Sequence, residues 1–164
     1  MTTTVSDCRI MDLPRFYDVR GSLTPITGQQ EIPFAIQRTY HLYDVPGGAE
    51  RGGHAHQRLQ QLLVSVMGAF DVVLDDGREK KTIRLDRAYF GLYIPTLIWR
   101  ELINFSSGGI CLVLASEPYD QDEYIRDYST FKTLKASTDR SVSRPGIESY
   151  TPAGRTAPRS GARH

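Results

Sequence analysis

The 164-residue chain reads as an all-β domain, a jelly roll in which two sheets of antiparallel strands enclose one core. Two observations predict this. Short runs rich in β-branched and aromatic residues recur along the sequence, separated by Gly, Pro, Asp and Ser, and almost no stretch repeats its apolar residues at the helical period. A chain of this length buries a sizeable core but rarely divides into two, so one domain is expected.

Residues 34–45 alternate. Side chains two apart in a strand share a face, which puts Phe34, Ile36, Arg38, Tyr40 and Leu42 on one side and Gln37, His41 and Tyr43 on the other. Residues 60–67 and 69–74 are apolar runs on either side of Gly68, and Asp75-Asp76-Gly77 signals a hairpin turn into residues 81–85. Runs at 89–94, 98–105 and 110–115 follow, divided by Pro95-Thr96 and by Ser106-Ser107-Gly108-Gly109. The composition then changes. Residues 136–164 carry Pro145, Pro152 and Pro158 and five Arg against Asp139 and Glu148, without apolar periodicity. The domain is therefore expected over 1–135. Residues 136–164 are expected to be a basic, Pro-containing, disordered tail, because a segment with so little to bury cannot offset its ordering entropy.

A net charge of +1 gives no reason to expect nucleic acid or an anionic membrane as partner. No run of about eighteen apolar residues occurs, and the N-terminus lacks a basic start and an apolar stretch. The expected compartment is the cytoplasm, with Cys8 and Cys111 reduced. Their spacing does not suit zinc, and Cys111, inside an apolar run, reads as a small buried hydrophobe.

The chemistry-bearing pattern is Gly48, five residues, His54-Ala55-His56, four residues, Gln61, six residues, Gly68. In a strand this spacing aims both imidazoles to one side. It resembles the first motif of the cupin superfamily, whose double-stranded β-helix is a jelly roll, and in which the His pair and a following Glu hold a metal. Here Gln61 stands at the Glu position. The second cupin motif is matched in spacing by residues 95–104, with Arg100 at its metal-binding His and Leu97 at its Gly. A guanidinium has no lone pair for a metal and a neutral amide is a weak ligand, so two histidines are left where a catalytic site wants three fixed donors. No metal and no cofactor are expected.

Flanking segments make the resemblance specific. Asp18-Val19-Arg20-Gly21-Ser22-Leu23, residues 40–46, Arg51-Gly52-Gly53-His54-Ala55-His56 and above all Ser116-Glu117-Pro118-Tyr119-Asp120 with residues 124–128 are similar to the nucleoside-diphosphate-sugar 3,4-ketoisomerases, from about Asp12 to Phe131. The resemblance implies a metal-independent, dimeric enzyme. It would move a proton from C3 to C4 of thymidine-diphosphate 4-keto-6-deoxyglucose through an enediol, in deoxysugar biosynthesis. Histidine suits such a transfer, its ordinary pKa being about 6.5. His54, His56 and Tyr40 are the expected catalytic residues, with His54 as base at C3 and one neutral histidine beside one charged or hydrogen-bonding one. The enediolate oxygen requires preorganised donors, for which Tyr40, His56 and Arg100 are candidates.

Arg20 and Arg51, each beside a Gly, and Arg100 are expected to bind substrate, since guanidinium forks suit phosphate and a buried Arg100 needs a carboxylate or a substrate anion. Trp99 should face away from Arg100 into core. Asp120, Asp122, Glu123, Arg126 and Asp127 read as a solvated loop. The rival readings are a sugar-nucleotide 3,5-epimerase on the same scaffold, a metal-dependent cupin, and a non-catalytic sugar-nucleotide-binding cupin. Spacing does not determine the configuration of the product at C4.

Overall fold

The alternating runs become twelve strands in the computed structural model, which describes residues 2–142. They are β1 (Arg9–Asp12), β2 (Phe16–Asp18), β3 (Gly21–Leu23), β4 (Arg38–Leu42), β5 (Arg51–His56), β6 (Gln61–Met67), β7 (Phe70–Asp75), β8 (Lys80–Leu85), β9 (Phe90–Ile94), β10 (Trp99–Ile103), β11 (Ile110–Ala115) and β12 (Tyr124–Ile125). One sheet runs β1-β9-β6-β11-β4 and the other β12-β5-β10-β7-β8, with β2 and β3 forming a separate hairpin. All strand pairs are antiparallel, as the cupin jelly roll requires.

Between the sheets lies a core of Leu63, Phe70, Val72, Leu74, Leu92, Ile94, Leu102 and Val113, against which Tyr40 and Leu42 pack. Cys8 and Cys111 belong to it, both free thiols pushed up to about 12 by burial. Both sheets are also covered on their outer faces. On the first, Leu62, Val64 and Leu114 meet Leu13, Ile32 and Phe34. Phe34 and Ile36 therefore do not share the inward face of Arg38, Tyr40 and Leu42, as simple alternation predicts. The ladder between β4 and β11 begins only at Arg38, opposite Ala115, and the chain before it folds over the outer side.

The second sheet is covered by α1 (Tyr128–Val142), whose Tyr128, Phe131 and Leu134 pack with Ala55, Trp99 and Ile125. Trp99 thus faces away from Arg100, as alternation predicts. Asp127 begins the helix, its Oδ1 accepting from the Thr130 N–H at 2.7 Å and from both the Ser129 and Thr130 hydroxyls. The expected domain boundary at Lys135 falls inside this helix, which continues through 136–142; residues 143–164 of the expected tail lie outside the described residues. No helix of the described residues is long and apolar enough to cross a membrane.

Lys135 is buried on the inner side of α1. A buried ammonium is costly unless its donors are used, and its three are engaged by the Thr3 carbonyl, the Thr3 hydroxyl at 3.1 Å and the Leu97 carbonyl at 2.8 Å. Leu97, at φ +56°, donates its own N–H to the His56 carbonyl at 2.8 Å. Two hydrogen bonds therefore hold a side-chain-bearing residue in the left-handed region at the position where the cupin motif has Gly.

The pairing of β5 with β10 shifts register between Arg100 and Glu101, so that His54 faces Arg100 while Gly52 faces Glu101. Gly52 (φ +86°) and Gly53 (φ +68°) absorb the shift. A Cβ on Gly52 would come within 2.8 Å of the Arg100 carbonyl oxygen. Gly52→Ala is therefore expected to cost at least about 2 kcal/mol, from the left-handed backbone and a clash with backbone that cannot swing away. Thermal unfolding should show a midpoint lower by several degrees, and an unchanged midpoint would refute this account.

Candidate active site

Strands β4, β5, β6, β10 and β11 turn their inward side chains toward one end of the barrel, where they enclose a cavity of about 340 Å³. Arg38, Tyr40, Arg51, His54, Gln61, Arg100 and the aromatic rings of Tyr119 and Tyr124 line it, over an apolar floor that includes Leu63, Leu102 and Val113. Of the residues expected from the sequence, Tyr40, His54, Arg51 and Arg100 are brought together here. His56 is fully buried and lies behind this wall, its ring 4.9 Å from His54 and 4.4 Å from Tyr124 between centroids. Arg20 is not at the cavity of its own chain. It lies in the β2–β3 turn, fully exposed, its guanidinium paired with Asp18 at 2.5 Å.

Arg100 dominates the electrostatics. It is 1% exposed, and among the described residues no carboxylate pairs with it. Its Nη1 reaches the His54 carbonyl at 3.5 Å, while Nε and Nη2 make no hydrogen bond. Burial lowers its pKa to about 10, still high enough to keep the charge. That cation and the low-polarity surroundings act on both histidines: burial first and Arg100 second push His54 down to about 3, against the opposing Gly52 backbone, and the same two causes push His56 lower still. Both imidazoles are therefore neutral at physiological pH, so of the two alternatives expected for the second histidine, charged or hydrogen-bonding, burial and Arg100 disfavour the charged one. All four imidazole nitrogens are buried without a hydrogen-bond partner.

The buried polar atoms in the cavity thus divide into two sets. His54 offers an unprotonated nitrogen, while Arg100 offers the unused N–H groups of Nε and Nη2. Native proteins rarely bury so many unpartnered polar atoms in one place without a ligand to meet them. Tyr40 is also largely enclosed, and burial raises its pKa, so it stays a neutral phenol. The donor set does not fit a metal: Arg100 brings a positive charge to the cavity, the Gln61 amide is bonded to Tyr40, and no three His, Cys, Asp or Glu side chains cluster among the described residues.

Two aromatic residues of the site, Tyr119 and Tyr124, come from a stretch that the sequence marks only as a segment able to close one side of the site or to pack against another subunit, without a role for either ring. Tyr124 is placed by its pairing opposite His56 in β12, and its ring stands against both histidines; the Arg38 Nη2 donates to its hydroxyl at 3.2 Å. Tyr119 stacks near Tyr124 and under Arg38 at the mouth. The charge-rich stretch around them is only partly a solvated loop. Glu123 is 2% exposed, accepts the Arg58 and Leu59 N–H groups and pairs with the Arg58 guanidinium at 3.3 Å, thereby pinning β12 to β5. The available signal was the run of aromatics at 119, 124 and 128 inside that charged stretch.

Residues 6–136 match the family described as "FdtA: WxcM-like, C-terminal". The chain is 42% identical over 124 residues to the TDP-4-oxo-6-deoxy-alpha-D-glucose-3,4-oxoisomerase of Aneurinibacillus thermoaerophilus, covering 76% of this chain and 89% of that enzyme. A 3,4-ketoisomerase of Helicobacter canadensis superposes with a TM-score of 0.78 at 44% identity, over 79% of this chain and 98% of the other. A His-to-Asn variant of a 3,4-ketoisomerase from Thermoanaerobacterium thermosaccharolyticum, solved with TDP-4-keto-6-deoxyglucose, superposes with a TM-score of 0.78 at 37% identity, over 79% and 94%. With its jelly roll, its His-x-His strand and these relatives, the chain belongs to the FdtA family of sugar 3,4-ketoisomerases.

Proposed function

We propose that this protein isomerises TDP-4-keto-6-deoxyglucose to a TDP-3-keto-6-deoxyhexose without a metal or redox cofactor. The observation that carries the reading is a neutral, unpartnered His54 beside a buried, unpartnered Arg100 in a cavity whose floor is otherwise apolar. His54 removes the proton from C3, and the C3–H electron pair forms the C3–C4 double bond while the C4 carbonyl oxygen takes the negative charge. Arg100 and the Tyr40 hydroxyl hold that oxygen as the charge develops, and electrostatic preorganisation of this kind is commonly the largest catalytic contribution. Transfer of the C3 hydroxyl proton to the C4 oxygen and delivery of a proton to C4 complete the 3-ketone, and the proton taken up by His54 is returned to the sugar or exchanged with solvent. Electrons shift only between adjacent carbons.

Burial and the Arg100 charge make His54 a weak base, but the same arrangement strengthens it during the reaction. Negative charge arriving near Arg100, from the enediolate as it forms, offsets the cation that depresses the imidazole. His56, neutral and edge-on to His54, backs its ring. Arg51 at the cavity rim is suited to the diphosphate, as a planar fork for phosphate oxygens. The two free, buried thiols are in keeping with a cytoplasmic enzyme.

A homodimer completes this reading. The β2–β3 hairpin leaves Phe16 64%, Tyr17 76%, Val19 105% and Leu23 61% exposed on one small ribbon, and β4 ends its sheet with a free edge. An isolated two-stranded ribbon with such a surface needs a partner. A second copy covering it would carry Arg20 toward the neighbouring cavity, giving it the substrate-binding role it lacks within one chain.

Incubation with TDP-4-keto-6-deoxyglucose followed by NMR should yield the 3-keto isomer, with deuterium from solvent water washed into the sugar. Activity should survive chelation, and His54→Asn should lower turnover roughly 10²–10⁴-fold; loss of activity on chelation, or wild-type C3 exchange in the variant, would refute the mechanism. Because His54 in the folded chain holds no proton until about pH 3, kcat/KM should show no acid limb centred near 6.5. Stability behaves differently: the unfolded chain protonates both histidines below about 6.5, so the stability present above that pH is lost as pH falls toward 3. An acid limb near 6.5 with unchanged folding would exclude this assignment of charge. Light scattering should give the mass of a dimer for the wild type and a shift toward monomer for a Tyr17→Glu/Val19→Glu variant; a monomeric wild type would overturn the dimer.

A further inference from the structure

Gln61 stands where related metal-binding barrels place a carboxylate, and its side chain is 2% exposed. Its role follows from the row of the sheet it occupies. On β11, Ala115 lies between Gln61 of β6 and Arg38 of β4, and the next inward residue, Val113, lies between Leu63 and Tyr40. Gln61 and Tyr40 are thus one row apart and two strands apart. Ala115, a methyl group in the intervening position, leaves the amide room to cross. The Gln61 Nε2 donates to the Tyr40 hydroxyl oxygen at 3.1 Å.

A phenol oxygen that accepts such a bond keeps its own hydrogen for another partner, and Tyr40 lines the same cavity as His54 and Arg100. The glutamate of a metal-binding barrel would do the opposite. An acceptor-only carboxylate would take the phenol hydrogen and turn the oxygen lone pairs toward the substrate. We propose that Gln61 is a positioning residue: it holds Tyr40 as a hydrogen-bond donor to the oxyanion that forms during isomerisation. The exchange of carboxylate for amide at this position therefore does more than remove a metal ligand. It sets the polarity of the cavity so that donors from Tyr40 and Arg100 converge on one oxygen.

This rests on the ketoisomerase reading, and the test separates the two. Turnover of TDP-4-keto-6-deoxyglucose is measured for wild type, Gln61→Met, Tyr40→Phe and the double variant, with TDP binding by calorimetry for each. Gln61→Met keeps the volume without the amide, and kcat should fall about five- to tenfold with KM and TDP affinity little changed, the size of one hydrogen bond. In the Tyr40→Phe background the same substitution should have no further effect, because residues that act through one another are not additive. Gln61→Glu should be slower than Gln61→Met, since it captures the phenol hydrogen. If Gln61→Met fails to bind TDP, Gln61→Leu replaces it with the same two outcomes. Multiplicative losses in the double variant, or kcat within twofold of wild type, overturn the inference while leaving the ketoisomerase reading intact. A wild type that binds TDP but does not turn over the keto sugar overturns both.

Discussion

The buried guanidinium of Arg100 is the constraint around which the rest of this molecule is arranged. A cation enclosed to 1% exposure, with no carboxylate pairing it among the described residues, is costly, and only its Nη1 meets a partner, the His54 carbonyl, while Nε and Nη2 make no hydrogen bond. Burial first and this charge second hold both imidazoles neutral. In the proposed mechanism the same charge would also face the oxyanion, so that one residue both favours a neutral imidazole and supplies a counter-charge.

Holding that geometry depends on backbone more than on side-chain packing. The register shift at Gly52-Gly53 sets His54 opposite Arg100, and Leu97 bonds the carbonyl of His56 at the end of the same strand. Covered outer faces on both sheets keep these strands from adjusting independently. The apolar floor of Leu63, Leu102 and Val113 lowers the polarity around the charged and polar groups of the cavity, and electrostatic contacts are stronger in such surroundings.

Much of this was legible in the sequence. The β-type runs at 60–67, 69–74 and 110–115 became strands almost residue for residue, and alternation correctly turned Arg100 and Tyr40 inward and Trp99 outward. Alternation failed at Phe34 and Ile36, because face assignment holds only while the ladder lasts and β4 begins at Arg38. The helix was missed because its buried stripe is just Tyr128, Phe131 and Leu134, with a lysine as the fourth buried member. Composition alone marked residues beyond 135 as tail although the helix runs to Val142. The depressed histidines could not be read from spacing, since they arise from burial and from a charge on another strand. The contact between Gln61 and Tyr40, which spans three strands, was equally hidden.

Lys135 ties Thr3 to Leu97, and Leu97 ties to the carbonyl of His56. Three segments far apart in sequence therefore share one ammonium group, and none can open without breaking bonds of the others. In hydrogen-exchange terms they form a single cooperative unit, so the amide of Leu97 should be protected by the docking of α1 rather than by strand pairing. The helix is then the back wall of the strand that carries both histidines, and its buried Lys135 is linked to the His56 carbonyl through two hydrogen bonds.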